Sequence, residues 1–166
     1  MSVIEYGCGD GNQLSLAVYP QYLGFDISDH ALGLCRARFQ GDNSKIFKHL
    51  DEYGGETADL CLSLDVIYHL IEDDIYEWHM QRLFASASRW VAIYSSNSNR
   101  QVSGQAAHVR HRKFSDWIAV NAPRWELIEH HLNPYPYDGD FAKSSLADLY
   151  IFGAMAEKLG ATKACE

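Results

Sequence analysis

Three glycines stand at every second position near the start of the chain: Gly7, Gly9 and Gly11, in the stretch VIEYGCGDGNQL. Glycine inside an ordered element costs roughly 0.5 to 1 kcal/mol relative to alanine, so this spacing needs an unusual backbone or a close approach. The apolar run before the glycines predicts a strand, Ser2–Tyr6. In a doubly wound α/β sheet the turn after the first strand faces the ligand crevice, where helix N–H groups are unpaired. We therefore predict a ligand-binding loop, with a purely structural tight turn as the alternative.

Acidic side chains follow two further predicted strands. Asp26 closes the run YLGFD, and Asp51 follows KIFKHL. A carboxylate offers two acceptors to the two donors of a vicinal diol, so Asp26 suits a ligand with two adjacent hydroxyl groups. For Asp26 the alternative is an acid that only favours the start of the following helix.

A basic run, HVRHRK at residues 108–113, contrasts with the otherwise acidic chain. Its side chains could attract a carboxylate or phosphate group on a substrate. The alternative for this run is the solvated start of a helix. Tyr68 and His69 follow the fourth predicted strand and are expected near the same site.

An alternation of strands and helices must position these residues. The predicted strands are Ser2–Tyr6, Tyr22–Ile27, Lys45–His49, Asp59–Leu64, Trp90–Tyr94, Trp125–Leu132 and Leu146–Ala154. The predicted helices are Asn12–Tyr19, one capped by Ser28 or Asp29 and running through Phe39, Asp73–Ser88, and Phe114–Asn121. The last two strands leave no room for a crossover helix and therefore pair antiparallel. This order predicts a three-layer α/β fold.

The composition is typical of one globular domain. The chain has 166 residues, of which 47% are hydrophobic and 22% charged. Its formal net charge of -8 makes the surface as a whole repel nucleic acid and anionic membranes. No apolar run approaches the roughly 20 residues that span a bilayer, and no signal-peptide pattern opens the chain. The scattered cysteines (Cys8, Cys35, Cys61 and Cys165) favour reduced thiols, so we expect a cytoplasmic protein with neither a nucleic-acid nor a membrane partner.

The pattern E-x-G-x-G-x-G differs from the G-x-G-x-x-G of dinucleotide-binding proteins, because its final glycine arrives one residue earlier. It resembles the first motif of class I S-adenosylmethionine-dependent methyltransferases. The resemblance implies that Glu5 supports the turn and the amino end of the cofactor. It also implies that Gly7, Cys8, Gly9 and Gly11 form the loop beneath the methionine part of S-adenosylmethionine.

Two further stretches carry the resemblance on the nucleoside side. In YLGFDIS, Asp26 stands where the family has an acid that accepts both ribose hydroxyls, with Ile27 beside it. In KHLDEY, the family pattern implies that Asp51 takes the adenine amino group and that Leu50 supplies the adjacent backbone.

The stretch DLCLSLDVIYHLIED resembles the family's fourth motif. This implies that Leu64, Asp65 and Val66 line the sulfonium side of the cofactor. The resemblance covers essentially the whole chain. It implies a doubly wound, seven-stranded Rossmann-like sheet, mostly parallel with a C-terminal antiparallel hairpin.

Members of the family usually carry helices before the first strand, whereas here the strand begins at Ser2. We therefore expect one methyltransferase domain over residues 1–156 that lacks those helices, followed by a tail at 157–166. Either the chain is a fragment of a longer protein or its site is unusually open.

The resemblance implies methyl transfer from S-adenosylmethionine to a small-molecule acceptor, with S-adenosylhomocysteine as the second product. The basic run adds the expectation that this acceptor is acidic. A nucleic-acid or protein methyltransferase is one alternative, although LDVIYH stands where amino-methylating DNA enzymes carry an NPPY-like signature. A cofactor-binding or interaction module without turnover is the other.

Methyl transfer from a sulfonium is an in-line displacement, for which positioning of the reactants can contribute roughly 7 to 11 kcal/mol. No metal is required, and a general base helps only with a hydroxyl or protonated amine acceptor. We assign that base to His69 or His108, with packing or loop ordering as the alternative for His69. The side chains expected to bind substrate are those of Tyr68, Arg110, His111 and Arg112.

Overall fold

Apolar residues fill most positions of the central strands, because both faces of a parallel sheet are covered in this class of fold. Four of the five residues of the first strand are buried, and so are four of the seven residues of the fourth. The computed structural model describes residues 1–155. Its strands are β1 (Ser2–Tyr6), β2 (Gln21–Asp26), β3 (Lys45–His49), β4 (Ala58–Leu64), β5 (Ala87–Ser95), β6 (Trp125–His131) and β7 (Asp148–Ala154).

The seven strands form one sheet in the order β3-β2-β1-β4-β5-β7-β6. β1 pairs in parallel with β2 and β4, whereas β7 pairs antiparallel with both β5 and β6. The predicted mostly parallel sheet with a terminal antiparallel hairpin is therefore confirmed. The order reverses between β1 and β4, and ligands bind beyond the carboxyl ends of the strands at such a switch point.

In the described part of the chain, three α-helices flank the sheet: α1 (Asp29–Arg38), α2 (Asp73–Ser86) and α3 (Phe114–Asn121). The Ser28 side chain caps α1 by accepting a hydrogen bond from the Ala31 N–H. One core lies between the sheet and helices α2 and α3, and a second lies between the sheet and α1. The two cores give the three layers that the sequence predicts.

The helix predicted over Asn12–Tyr19 is wrong, because only one 3₁₀ turn forms there, at Leu14–Leu16. Ala17 is extended, and Pro20 disfavours helical backbone at the residue before it. Leu14 is buried, whereas Leu16 is 86% exposed and Val18 is 95% exposed. The segment therefore covers the sheet with one side chain instead of the predicted apolar face.

Helix α2 ends two residues before its predicted end, and β5 begins at the next residue, Ala87. The hydroxyl of Ser86 forms hydrogen bonds with the hydroxyls of Tyr6 at 2.6 Å and Tyr53 at 2.9 Å. These bonds fix the last residue of α2 against β1 and against the loop before β4. The chain therefore enters β5 directly, without a loop.

Within residues 1–155, no helix is long and apolar enough to cross a bilayer. Three cysteines in this range (Cys8, Cys35 and Cys61) are free and buried. The predicted tail at 157–166, which contains Cys165, lies outside the described residues.

Candidate functional site

The glycine loop joins the ends of β1, β2 and β4. The N–H groups of Gly7 and Cys8 both donate to the Phe25 carbonyl of β2, at 2.8 and 3.0 Å. Gly7 has a φ of 82°, and a Cβ there would lie 2.4 Å from a methyl carbon of Val66. Glycine at this position therefore allows the loop after β4 to pack directly against the first turn.

Gly9 has a different surrounding. Its φ is 56°, and no heavy atom lies within 4 Å of the position that a Cβ would take. Its N–H donates to one carboxylate oxygen of Asp26 at 2.8 Å, and the Ser28 N–H donates to the other at 2.9 Å. Each oxygen can accept a further hydrogen bond, so Asp26 can hold the loop and bind a diol together.

Glu5 lies below the loop and is buried. Its carboxylate accepts a hydrogen bond from the Tyr22 hydroxyl at 2.5 Å. Burial raises the pKa of the Glu5 carboxyl, against the opposing effect of this hydrogen bond. Cys8 and Gly11 are also buried, and a Cβ on Gly11 would lie 3.0 Å from the Cys35 sulfur. These buried residues lie beneath the loop, and the role of Glu5 in supporting the turn stays a prediction.

His49, the last residue of β3, connects the ends of β2 and β3. His49 Nε2 lies 3.0 Å from the Ile27 carbonyl, and His49 Nδ1 accepts a hydrogen bond from the Asp51 N–H. Ile27 is 74% exposed, although it is apolar, and the Asp51 side chain also faces solvent. Leu50 is half-buried against the main core. The residues predicted for the nucleoside side are therefore together at one edge of the sheet.

The loop after β4 connects this edge with the rest of the site. Among residues 1–155, Asp65 is the one non-glycine residue with a positive φ, at 60°. Its N–H donates to the Tyr94 carbonyl of β5, and its carboxylate accepts a hydrogen bond from the Tyr68 hydroxyl at 2.5 Å. Leu64 packs into the second core and Val66 packs on Gly7. Residues other than glycine rarely adopt this left-handed backbone conformation, and those that do are often found at binding sites.

A cavity of about 540 Å³ opens beside Asp65, beyond the carboxyl ends of β4 and β5. Its volume suits a small molecule. The residues that line it are Asp65, Tyr68, Tyr94, Ser96, Gly104, Gln105, Ala106, Val109, His111, Phe141, Ser144, Ser145, Leu146 and Ala147.

His111 forms part of the cavity wall. It is 6% exposed, and its Nδ1 lies 2.6 Å from the Ser96 hydroxyl oxygen. The Gln101 side chain contacts both the N–H and the carbonyl of His111, at 3.1 and 2.8 Å. Burial lowers the pKa of the His111 imidazole below its usual value.

His69 and His108 lie together at the surface. Their rings stack with centroids 5.3 Å apart, and His69 Nδ1 is 3.4 Å from the His108 carbonyl. Both residues are exposed, and neither lines the cavity beside Asp65. Their assignment to proton transfer stays a prediction, and this geometry favours a loop-ordering role.

Arg110 and Arg112 bind the chain between β4 and α2. Each forms an ion pair with Asp73, at 2.8 and 2.9 Å, and each also donates to the Ile71 carbonyl. Arg112 further donates to the Leu70 carbonyl. The hydrogen bond from Arg112 lowers the pKa of the Asp73 carboxyl. Much of the donor capacity that an anionic substrate would need is therefore already used by this loop.

Several polar residues of the site are not among the site residues predicted from the sequence, and His49, Ser96 and Gln101 are three of them. His49 stands directly before Leu50 and Asp51, so its nearness to the predicted adenine site was a usable signal. Ser96 and Gln101 carry no comparable signal, because their contacts reach His111 from 15 and 10 residues away in a loop without periodicity.

Comparison with known proteins identifies the family. The sequence profile described as "Methyltransferase domain" matches residues 4–92, which is more than half of the chain. No curated protein matches the sequence.

Solved methyltransferase structures share the fold. The methyltransferase domain of bacterial CtHen1-C is 19% identical, with a TM-score of 0.70, over 93% of this chain and 90% of that one. The N-methyltransferase NodS from Bradyrhizobium japonicum WM9 is 16% identical, with a TM-score of 0.68, over 93% of this chain and 86% of that one. Magnesium protoporphyrin IX methyltransferase from Synechocystis PCC 6803, solved with S-adenosylmethionine, is 16% identical over 93% of this chain and 70% of that one, with a TM-score of 0.65.

The residues present fit S-adenosylmethionine at the edge formed by β1, β2 and β4. The position above Gly9 is open, both oxygens of Asp26 keep acceptor capacity, and Ile27 offers an exposed apolar surface. The roles of the individual residues stay predictions. The family profile and the fold together show that the chain belongs to the class I S-adenosylmethionine-dependent methyltransferases, whose cofactor is S-adenosylmethionine.

Proposed function

We propose that this protein methylates a small-molecule acceptor that binds in the cavity beside Asp65. The observation that carries the proposal is the position of Asp65. Its neighbour Val66 packs on the first glycine of the cofactor loop, whereas Asp65 itself lines the cavity. A molecule in the cavity would therefore lie next to the edge where the cofactor is predicted to bind.

The proposal differs in one respect from the expectation of an acidic acceptor. That expectation depended on Arg110 and Arg112, whose guanidinium groups already bind Asp73 and main-chain carbonyls. The proposed acceptor therefore needs no negative charge. The net charge of -8 still disfavours nucleic acid as the acceptor.

The protein's main contribution to the reaction is to position the two reactants. S-adenosylmethionine, when bound, supplies a methyl group activated by a sulfonium. The glycine loop and Asp26 would hold that cofactor at one side, and the hydrogen-bonded Tyr68–Asp65 pair lines the cavity on the other side. A fixed near-attack geometry can contribute roughly 7 to 11 kcal/mol to a bimolecular step.

Cavity-filling variants test the proposal. Ala106 lines the cavity, whereas its exposed neighbour Ala107 does not, so Ala107→Trp is a matched control for Ala106→Trp. We expect Ala106→Trp to lower kcat/KM by about 10- to 100-fold, or about 1.4 to 2.7 kcal/mol, because the indole would occupy space in which the acceptor binds. Isothermal titration should give an unchanged Kd for S-adenosylmethionine, and release of S-adenosylhomocysteine should report turnover on a panel of small alcohols, phenols, amines and carboxylates.

Two outcomes would contradict the proposal. Cofactor binding without turnover on any small molecule would favour a binding module without catalysis. Turnover on RNA or protein that both tryptophan variants retain would favour a macromolecular acceptor.

We further infer a cytoplasmic location, which the three free, buried cysteines among residues 1–155 support.

A further inference from the structure

His111 carries a buried nitrogen without a partner. Its Nδ1 is satisfied by Ser96 at 2.6 Å, but its Nε2 is inaccessible to solvent and forms no hydrogen bond within residues 1–155. Leaving a buried polar group unpaired costs about 1 to 3 kcal/mol, so such groups usually have a functional reason. A partner from outside the chain would remove that cost.

The ring is held in one orientation at the wall of the cavity. The Gln101 side chain holds the His111 backbone at two points, Ser96 holds Nδ1, and the Tyr68 ring lies 6.2 Å from the imidazole, measured between centroids. His111, Ser96 and Tyr68 all line the cavity beside Asp65. A preorganised imidazole in this position suits proton transfer to or from a bound molecule.

We propose that His111 is the proton acceptor of the reaction, that Ser96 is its positioning residue, and that the acceptor molecule presents a hydroxyl group. The inference rests on the proposed function, because it concerns the molecule that binds in the same cavity. It requires the tautomer in which Nδ1–H donates to the Ser96 oxygen, which leaves the lone pair of Nε2 free for the hydroxyl proton.

The proposed step balances in atoms and electrons. A new bond forms between the acceptor oxygen and the methyl carbon, and the electron pair of the broken carbon–sulfur bond stays on sulfur. The acceptor O–H bond breaks, its electron pair stays on oxygen, and its proton moves to His111 Nε2. Because Nε2 is buried in the free protein, the step also requires a small movement of the cavity wall. This movement admits the acceptor hydroxyl and, after the product leaves, the water that takes the proton from the imidazolium.

The groups around His111 are consistent with a neutral imidazole at pH 7. On the cavity side lie Tyr68, whose hydroxyl is bonded to Asp65, and Tyr94. On the other side, three acids and three bases surround a second polar cavity that His111 also lines, together with Tyr76. These charged residues are Asp73, Glu77, Asp116, Arg110, Arg112 and Lys113. Their charges balance, so burial dominates and the lowered pKa keeps the base free of a proton.

The test combines spectroscopy without cofactor and kinetics with it. Long-range ¹H–¹⁵N correlation spectra of the cofactor-free protein report the tautomer and pKa of each of the eight histidines, and the missing signals of His111→Gln identify those of His111. The kinetic readout is the pH dependence of kcat/KM for wild type, Ser96→Ala, His111→Gln and a control, His131→Gln, which changes an exposed histidine on β6.

We expect the Nδ1–H tautomer in the free protein, and a kcat/KM that rises with pH through a pKa below 6.5. His111→Gln should lose about 10²- to 10⁴-fold in kcat/KM and the acidic limb of the profile. Ser96→Ala should retain the limb at a shifted pKa, and His131→Gln should match wild type. Phenols and alcohols should be methylated in preference to carboxylates of the same size.

The Nε2–H tautomer, or an unchanged pH profile in His111→Gln, would overturn the assignment of His111. Spectra of the wild-type protein decide the tautomer even if His111→Gln does not fold. Wild-type protein that binds S-adenosylmethionine but methylates no small molecule would instead overturn the proposed function, whatever the tautomer is. The two failures are thus distinguishable.

Discussion

The predicted cofactor edge, formed by the turns after β1 to β4, and the proposed acceptor cavity beside Asp65 are adjacent, yet they are built in different ways. The cofactor edge consists of short turns directly after β1, β2, β3 and β4, in which main-chain groups bind one another or a side chain of the same or the neighbouring turn. The cavity draws its lining from four separate stretches of chain, at 65–68, 94–96, 104–111 and 141–147. Contacts such as Ser96 with His111 cross loops without regular structure.

The difference shows which part of the molecule can change its specificity. A turn between a strand and a helix has few alternative conformations, so its glycines and acid are fixed by geometry. Loops that meet only in the folded state can alter their side chains while the sheet stays the same. We therefore expect substitutions at the cofactor edge to weaken S-adenosylmethionine binding strongly. We expect substitutions around the cavity to cause smaller losses, in the free energy of unfolding.

The largest effect is expected for Gly9→Val. Valine is strained at a φ of 56°, and its methyl groups would fill the open position above the loop. S-adenosylmethionine should bind more than about 100-fold more weakly by isothermal titration, a loss of about 2.7 kcal/mol. Gly41→Val is the matched control, because Gly41 also has a positive φ and open space but lies after α1. Normal binding by a folded Gly9→Val protein would show that the cofactor does not approach this loop.

A smaller effect on binding is expected for Asp26→Ala. The change removes the acceptor predicted for the ribose hydroxyls and also the bonds to the Gly9 and Ser28 N–H groups. S-adenosylmethionine affinity should fall by about 1.5 to 3 kcal/mol, as for charge-assisted hydrogen bonds. Asp29→Ala, at the exposed first turn of α1, should leave Kd unchanged. Equal Kd values for wild type and Asp26→Ala would rule out the ribose assignment.

The smallest effect is expected for Arg112→Ala, and on stability instead of cofactor binding. The Arg112 side chain is 11% exposed and binds the Leu70 and Ile71 carbonyls and Asp73. Urea unfolding should show a loss of about 1 to 2 kcal/mol. Lys113→Ala is the control. It removes the ion pair with Asp116, in which the lysine side chain is 49% exposed, and it should change the free energy of unfolding by less than about 1 kcal/mol. Unchanged stability, with a raised KM only for carboxylate acceptors at low salt, would restore the predicted anion site.

Most of the fold was predictable, because β1, β2 and β4 are short, largely apolar runs that a turn or helix signal ends. The terminal hairpin followed from the absence of a crossover helix. The segment after the glycine loop was not predictable by periodicity alone. Leu14, Leu16 and Val18 alternate with smaller or polar residues, but Pro20 and the early start of β2 leave room for only one turn.

The two halves of the site were predictable to different degrees. Local sequence motifs predict the residues of the cofactor edge. The structure brings four of them together at the ends of β2 and β3: Asp26, Ile27, Leu50 and Asp51. Around the cavity, charge alone suggested an anion site at Arg110 and Arg112, since the pairing with Asp73 is a long-range contact of the folded chain. The pairing of His111 with Ser96 has the same origin.

Helix α2 runs into β5 without a connecting residue, at Ser86 and Ala87. This segment starts at Asp73, which binds Arg112 and lines the second polar cavity, and it ends at Ser95, directly before Ser96 in the wall of the acceptor cavity. One inserted residue at the junction would rotate the helix by about 100° or turn every side chain of β5 to the opposite face. Insertions and deletions during divergence are therefore expected at 97–113 and 132–147, where they reshape the cavity wall and leave its floor in place.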